Sequence, residues 1–165
     1  MLHQDKQTKK QRSDEWWTPQ DLFDELVKMF KFKPTLDICA TKANRLCGQY
    51  FTKSQNALTR RWIKGRIKRK VWCNPPNSKM KLFLKKAYEQ FVINKIQTMM
   101  IVPLNIQSSN NFWTYVQKPM ERGEKIMVRP IKTRRSFLYK GQNNPDTSIN
   151  GYCVVIFGRR NRFQK

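Results

Sequence analysis

Val71-Trp72-Cys73-Asn74-Pro75-Pro76-Asn77-Ser78 is followed directly by an amphipathic run from Met80 to Val92. A short β-prone triplet leads into a rigid Pro-Pro loop, and an Asn/Ser pair suited to capping a helix leads out. Pro75 and Pro76 fix φ and carry no backbone N–H. The loop therefore presents carbonyl oxygens and the Asn74 amide without a full set of competing donors. A strand–loop–helix junction of this kind sits at the carboxyl end of a strand, where open α/β sheets place their ligands.

Downstream of this loop, Met80, Phe83, Leu84, Ala87, Tyr88 and Phe91 recur at helical spacing and predict a core-facing stripe. The continuous apolar run Thr98 to Leu104 reads as a central strand buried on both faces. Asn110 to Gln117 reads as a helix carrying Phe112, Trp113 and Val116. Lys125–Val128 and Tyr152–Phe157 read as strands, with Gly141 to Asn150 a polar, turn-rich loop. Upstream, Thr18 is the expected N-cap and Pro19 the first residue of a helix whose buried stripe is Leu22, Phe23, Leu26, Met29 and Phe30. Trp16 and Trp17 serve either as a stacking surface or as an anchor ahead of that helix. Pro34 to Ala40 reads as a buried strand with Asp37 near its end. An acid there must be hydrogen-bonded or paired, as an acceptor for a bound cofactor or as a cap on the backbone. Asn44 to Thr52 reads as loop with a short helix or an edge strand. Strands alternating with helices predict an α/β fold with a central, mostly parallel sheet flanked by helices.

The chain has 165 residues, enough for one domain. Residues 1–13 read as a flexible basic arm, 14–157 as the folded domain and 158–165 as a basic tail. Lys and Arg number 34 against 11 acids, a net charge of +23. Such an excess points to a polyanionic partner, nucleic acid above all, or else to a merely solvated basic surface. The densest run is Arg60, Arg61, Lys64, Arg66, Lys68, Arg69 and Lys70. Its interleaved Trp62, Ile63 and Ile67, its Gly65 turn and its adjacency to the Asn-Pro-Pro loop favour phosphate contact. No apolar run approaches the ~20 residues of a membrane span, and the polar start lacks the apolar core of a secretion signal. The basic start leaves an organelle matrix open beside the cytoplasm.

The four cysteines form no C-x-x-C pair, and His3 is the single histidine, so a zinc site is not expected. Cys39, Cys73 and Cys153 read as buried free thiols of a reducing compartment. Apart from His3, in the polar tail, the chain has no imidazole, which argues against Ser-His-Asp and Cys-His catalysis and most hydrolytic metal chemistry. Any reaction here must need little general-base help.

An exocyclic amine such as adenine N6 is a poor nucleophile because its lone pair is delocalised into the ring. The Asn74 side-chain carbonyl and the Pro75 backbone carbonyl can each accept one N6–H. That favours tetrahedral nitrogen and stabilises the positive charge that develops as the amine attacks a methyl group. The donor would be S-adenosylmethionine, and a base in a duplex would have to be flipped out.

The Asn74-Pro75-Pro76 loop resembles motif IV of amino-methyltransferases (Asp/Asn-Pro-Pro-aromatic), and the order of segments resembles the phage-type DNA N6-adenine methyltransferase family. The likeness runs from Glu15-Trp16-Trp17-Thr18-Pro19 through Leu36-Asp37-Ile38-Cys39-Ala40-Thr41 and Asn44 to Gln49-Tyr50-Phe51-Thr52, Ala57-Leu58 and Trp62. It then takes in the Asn-Pro-Pro loop, Val102-Pro103-Leu104, the Arg134–Phe137 segment and Val154-Val155-Ile156-Phe157. It implies a Rossmann-like S-adenosylmethionine-dependent fold, with Thr18, Pro19, Asp37 and Asn44 toward the cofactor and Asn74, Pro75 and Pro76 at the target amine. Arg134, Arg135 and Asn77 join the basic run as expected nucleic-acid contacts, with DNA favoured over RNA. Two residues depart from the pattern. Asn77 stands where relatives carry a ring to stack on the base, and Asn56 stands where they tend to have an acid. These departures, with the high charge, make a second expectation: a degenerate methyltransferase fold kept as a nucleic-acid-binding subunit, with protein partners in a larger complex.

Overall fold

The computed structural model describes residues 14–63, 69–132, 136–143 and 151–160. In chain order these form β1 (Trp16–Trp17), α1 (Gln20–Phe30), β2 (Leu36–Asp37), β3 (Gln49–Tyr50) and β4 (Lys70–Cys73). A 3₁₀ turn (Asn77–Lys79) then leads into α2 (Met80–Asn94), and β5 (Gln97–Pro103) follows. Next come α3 (Asn110–Phe112), a π-helical segment (Trp113–Gln117) and α4 (Lys118–Glu121). The chain closes with β6 (Ile126–Pro130), β7 (Leu138–Tyr139), β8 (Gln142–Asn143) and β9 (Tyr152–Phe157).

The apolar run 97–103 is the spine, as its composition requires. Residues Thr98 to Val102 of β5 are all buried. β5 pairs in parallel with β4, in the register Lys70↔Gln97 to Cys73↔Met100. On its other side it pairs antiparallel with β9, from Thr98↔Phe157 to Pro103↔Tyr152. The full order is β3-β2-β4-β5-β9-β6, with β9 the reversed strand. The fold is thus mixed α/β around a six-stranded sheet.

Side chains alternate across the pleat, so each face builds its own core. Val71, Cys73, Met100, Val102, Val155 and Phe157 pack with Phe83, Leu84 and Ala87 of α2. Trp72, Met99, Ile101, Val154 and Ile156 pack with Leu22, Phe23, Leu26 and Phe30 of α1. Phe23 meets Trp72 edge-on, with ring centroids 4.9 Å apart.

Several local expectations are corrected. Pro19, not Thr18, is the N-cap of α1, and it offers no side-chain cap; the helix starts at Gln20. The Thr18 hydroxyl is instead buried without a hydrogen-bond partner. Met29 and Trp113 face outward, 55% and 52% exposed. The helix expected over 110–117 runs on to Glu121 but widens to π geometry over Trp113–Gln117. Pro119 supplies the reason, since it cannot donate to the carbonyl four residues back and its ring crowds that turn. Neither Asn77 nor Ser78 caps its own helix. Asp14 does that from outside: its carboxylate accepts from the Ser78 N–H at 2.9 Å and from the Ser78 hydroxyl.

A second sheet was not expected at all. β1, β7 and β8 form a three-stranded antiparallel ribbon, with Trp16↔Tyr139 and Trp17↔Leu138 in register. Beyond β9 the chain stays attached rather than trailing: Gly158 donates to the Lys125 carbonyl at 2.7 Å, and the Arg159 guanidinium donates to the Phe30 carbonyl. The arm 1–13 and residues 161–165 lie outside the described residues.

A candidate active site at the strand switch point

From β2 the chain goes to β3 on one side, then crosses to β4 on the other. The gap between the carboxyl ends of β2 and β4 is therefore a topological switch point, the place where open α/β sheets bind ligands. A cleft of about 560 Å³ opens there. One wall is Ile38 to Thr41 with Asn44, leaving β2; the opposite wall is Asn74, Pro76, Ser78 and Lys79, leaving β4. Asn56, Ala57, Leu58 and Phe83 contribute further lining, and the ribbon side adds Asp14 to Trp17 and Lys140. A shallower depression of similar volume, about 570 Å³, runs along the outer β3 edge and contains none of the loop residues.

Asn74 is half-buried, and its side-chain N–H donates to the Trp16 carbonyl at 3.2 Å. With the nitrogen turned to the ribbon, the side-chain oxygen is left as an acceptor in the cleft. Among the described residues no N–H is bonded to the Pro75 carbonyl either. Pro75 itself is buried and Pro76 half-buried, and the Pro76 carbonyl accepts from Lys79 at 2.9 Å.

Asp37 is buried, and both its carboxylate oxygens are engaged. Oδ1 accepts from the Cys39 N–H at 3.1 Å and Oδ2 from the Leu46 N–H at 3.2 Å. Burial pushes the carboxyl up from 3.8 to about 6, against the opposing pull of those two bonds. Of the two roles open to it, this geometry is that of a backbone cap shaping the 38–46 loop, which forms the cleft wall. Asn44 closes the same loop, its Oδ1 accepting from the Thr41 N–H at 2.6 Å and the Thr41 hydroxyl at 2.9 Å. Asn56, at φ 47°, occupies the left-handed region that asparagine tolerates better than most residues.

Cys39 is half-buried on the cleft, not fully buried as expected, and its sulfur lies 4.0 Å from that of Cys73. Burial holds the Cys73 thiol well above its ordinary value, with the Cys39 contact and the Asp37 charge adding to the effect. Cys47 is also buried. Among the described residues no group of three or more His, Cys, Asp or Glu side chains is placed to hold a metal ion.

The described members of the basic run do not gather at the cleft. Lys70 opens β4 while Asn74 follows its end, so Arg69 and Lys70 lie at the opposite end of the strand, roughly 13 Å away at ~3.3 Å per residue. Lys70 sits over the Phe32 ring at 5.5 Å, and Arg69 lines the outer depression. Arg60 turns back to donate to the Gln55 carbonyl at 2.6 Å, while Arg61 is exposed. Trp62, read as part of an aromatic–basic surface, is fully buried and donates to the Ala57 carbonyl at 2.9 Å. Lys64, Arg66, Lys68, Arg134 and Arg135 lie outside the described residues. Asn77 is exposed on the loop. The cations that do line the cleft are Lys53, Lys79 and Lys140. None of the three was among the residues expected to contact nucleic acid.

Fold and cleft define a mixed α/β protein with a cleft at a sheet switch point, bordered by an Asn-Pro-Pro loop. The family model for DNA N-6-adenine-methyltransferase (Dam) matches residues 5–164, and the chain belongs to that family. It is 36% identical over 90 residues to a DNA N-6-adenine-methyltransferase of Escherichia phage T1, a match covering 54% of this chain and 36% of that protein. It is 34% identical over 106 residues to one of Haemophilus phage HP1 (strain HP1c1), covering 64% of this chain and 58% of that protein. The match thus spans about a third of one relative and somewhat over half of the other. Among the described residues no helix is long and apolar enough to cross a membrane.

Proposed function

We propose that the protein transfers a methyl group from S-adenosylmethionine to adenine N6 in DNA, on a Rossmann-like methyltransferase fold, in the cleft between β2 and β4. The observation that carries this reading is the Asn74 side chain, tied through its nitrogen to the Trp16 carbonyl. Its oxygen is thereby fixed as an acceptor before any substrate arrives, so no reorganisation is required as charge develops on the amine. The Pro75 carbonyl is the second acceptor. Among the described residues no backbone N–H competes for it.

The cleft fits the cofactor by size and by lining. Its volume lies within the range of small-molecule sites. Ile38, Ala57, Leu58 and Phe83 offer apolar surface, while Asp14, Glu15 and Asn44 offer acceptors for hydroxyl or ammonium groups. Thr18 and Pro19 lie one and two residues beyond the cleft-lining Trp17, and the unpartnered Thr18 hydroxyl is a donor in want of an acceptor. Asp37 acts on the cofactor side by shaping the Ile38–Thr41 wall. When bound, S-adenosylmethionine supplies a methyl group activated by its sulfonium. DNA is favoured over RNA by the activity for which both relatives are named, and Lys53, Lys79 and the described members of the basic run are suited to its phosphates. The phage origin of those relatives supports a reaction in the cytoplasm of an infected bacterium.

Asn77 favours a second reading. It is exposed, polar and absent from the cleft lining, so the loop itself supplies no ring to hold a flipped base. In that reading the chain is a DNA-binding subunit of a larger nucleoprotein assembly, without turnover. Calorimetric titration with S-adenosylmethionine in the absence of DNA separates the two. The enzyme reading expects saturable binding, and an absence of heat at millimolar cofactor would leave only the binding subunit.

A further inference from the structure

The loop lacks a ring at position 77, but the cleft does not lack one. β1 is extended, so its two tryptophans point to opposite sides. Trp16 turns toward the α1 core, its ring 6.4 Å from Phe137. Trp17 therefore turns the other way; it is half-buried and lines the cleft. Its indole is backed by Gly141, which sits at φ 84° in the turn between β7 and β8. A Cβ added at Gly141 would lie 2.8 Å from the Trp17 Cζ3. The glycine thus provides a seat that only a residue without a side chain can make. On either side of this seat, Glu15 and Lys140 form an ion pair at 3.1 Å, tying the strand before Trp17 to the turn before Gly141. The platform is also placed relative to the reacting group. Asn74 bonds to the Trp16 carbonyl, and consecutive Cα atoms are about 3.8 Å apart, so Trp17 is the next residue along from the fixed amine acceptor.

We propose that Trp17 is the platform on which a purine ring stacks in the cleft, a task the loop residue Asn77 cannot perform. Stacking on an aromatic face accepts any base, because every base has a π surface, and indole offers the largest such face in the protein repertoire. The inference rests on the methyltransferase reading, and two sources of the purine share this chemistry: the adenine of the cofactor and the target adenine of the DNA.

The experiment compares wild type with Trp17→Leu, which keeps apolar bulk without a ring, and Trp17→Phe, which keeps a ring. Two binding titrations are made, each checked by a thermal melt. The first uses S-adenosylhomocysteine with the protein alone. The second, with that compound saturating, sets a short oligodeoxyadenylate against an oligodeoxythymidylate of equal length. Trp17→Leu is expected to weaken one titration by about tenfold, with Trp17→Phe recovering most of the loss. A change in the first titration assigns the platform to the cofactor adenine. A change in the second, confined to the adenine oligonucleotide, assigns it to the target base. If wild type binds both ligands and Trp17→Leu, still folded, binds them equally well, the platform is overturned while the methyltransferase reading stands. If wild type binds no S-adenosylhomocysteine, both fall together.

Discussion

The six-stranded sheet and the three-stranded ribbon meet at Asn74, and they do different things to it. The large sheet carries the residue: β4 is buried from Val71 to Cys73 and pairs along its length with β5. The ribbon aims it, through one bond from the Asn74 side chain to the Trp16 carbonyl. The first is held by core packing on both faces. The second is held by strands of two residues, a glycine in the left-handed region and an exposed ion pair. The residue is thus carried by one part of the molecule and oriented by another, joined where Trp16 packs beside Phe137 on the α1 core.

The sharpest way to test that separation is Asn74→Ala. Methyl transfer to adenine-containing DNA should fall by roughly 10²–10³-fold, the scale for removing one preorganised polar group. The melting temperature should hardly move, since the residue is only half-buried. Unchanged turnover in a single-turnover assay would refute the assigned role.

Asp37 probes the large sheet next. Its carboxyl holds a proton up to about pH 6 in the folded chain, against 3.8 for the free group. Between those values the folded state binds more protons than the unfolded one, so stability falls as pH rises. The favourable contribution is fully present below 3.8 and lost above about 6. Asp37→Asn should remove this slope, on the order of ten- to a hundredfold in the folding constant across the window. Urea unfolding at several pH values measures it; an identical slope in the variant would contradict the buried-acid assignment.

Gly141→Ala probes the ribbon alone. The positive φ and the 2.8 Å approach to Trp17 both oppose it. Amide exchange at Trp17 and Tyr139 should quicken by about tenfold while Met99 to Val102 keep their protection. Methyl transfer should drop in parallel with the ribbon, and equal loosening of β5 would show that the two sheets form one cooperative unit. Lys140→Ala is the mildest change. Its ion pair with Glu15 is solvent-exposed, and such pairs contribute little, so melting temperature should stay within error while the salt dependence of melting flattens slightly.

The large sheet was legible because its strands are apolar runs and its key loop is marked by two prolines that break any helix or strand pattern. The ribbon was not legible. Two residues carry no periodicity, and the partners of Trp16 and Trp17 lie at Tyr139 and Leu138, too far along the chain for any local signal. Position along the basic run was hard to read for a related reason. Lys70 and Asn74 are neighbours in sequence, yet a strand carries them to opposite ends of the sheet. Trp62 sat among arginines in the sequence but belongs to the core. Asp37 was legible as a buried acid that needed partners, although which partners it found depended on the fold of the loop from Cys39 to Leu46.

The bonds that join Asp14 to Ser78 and Trp16 to Asn74 bridge 64 and 58 residues, and the ribbon is closed only by β7. On the ribosome, chains emerge from the amino end and fold as segments become available. Trp16 and Asn74 have both left the ribosome well before the strand that holds Trp16 in place. β5 likewise waits for β9, the last strand to appear. A nascent chain therefore holds Asn74 before the ribbon that orients its side chain is complete. On the proposed function, alignment of that acceptor waits until β7 has paired with β1.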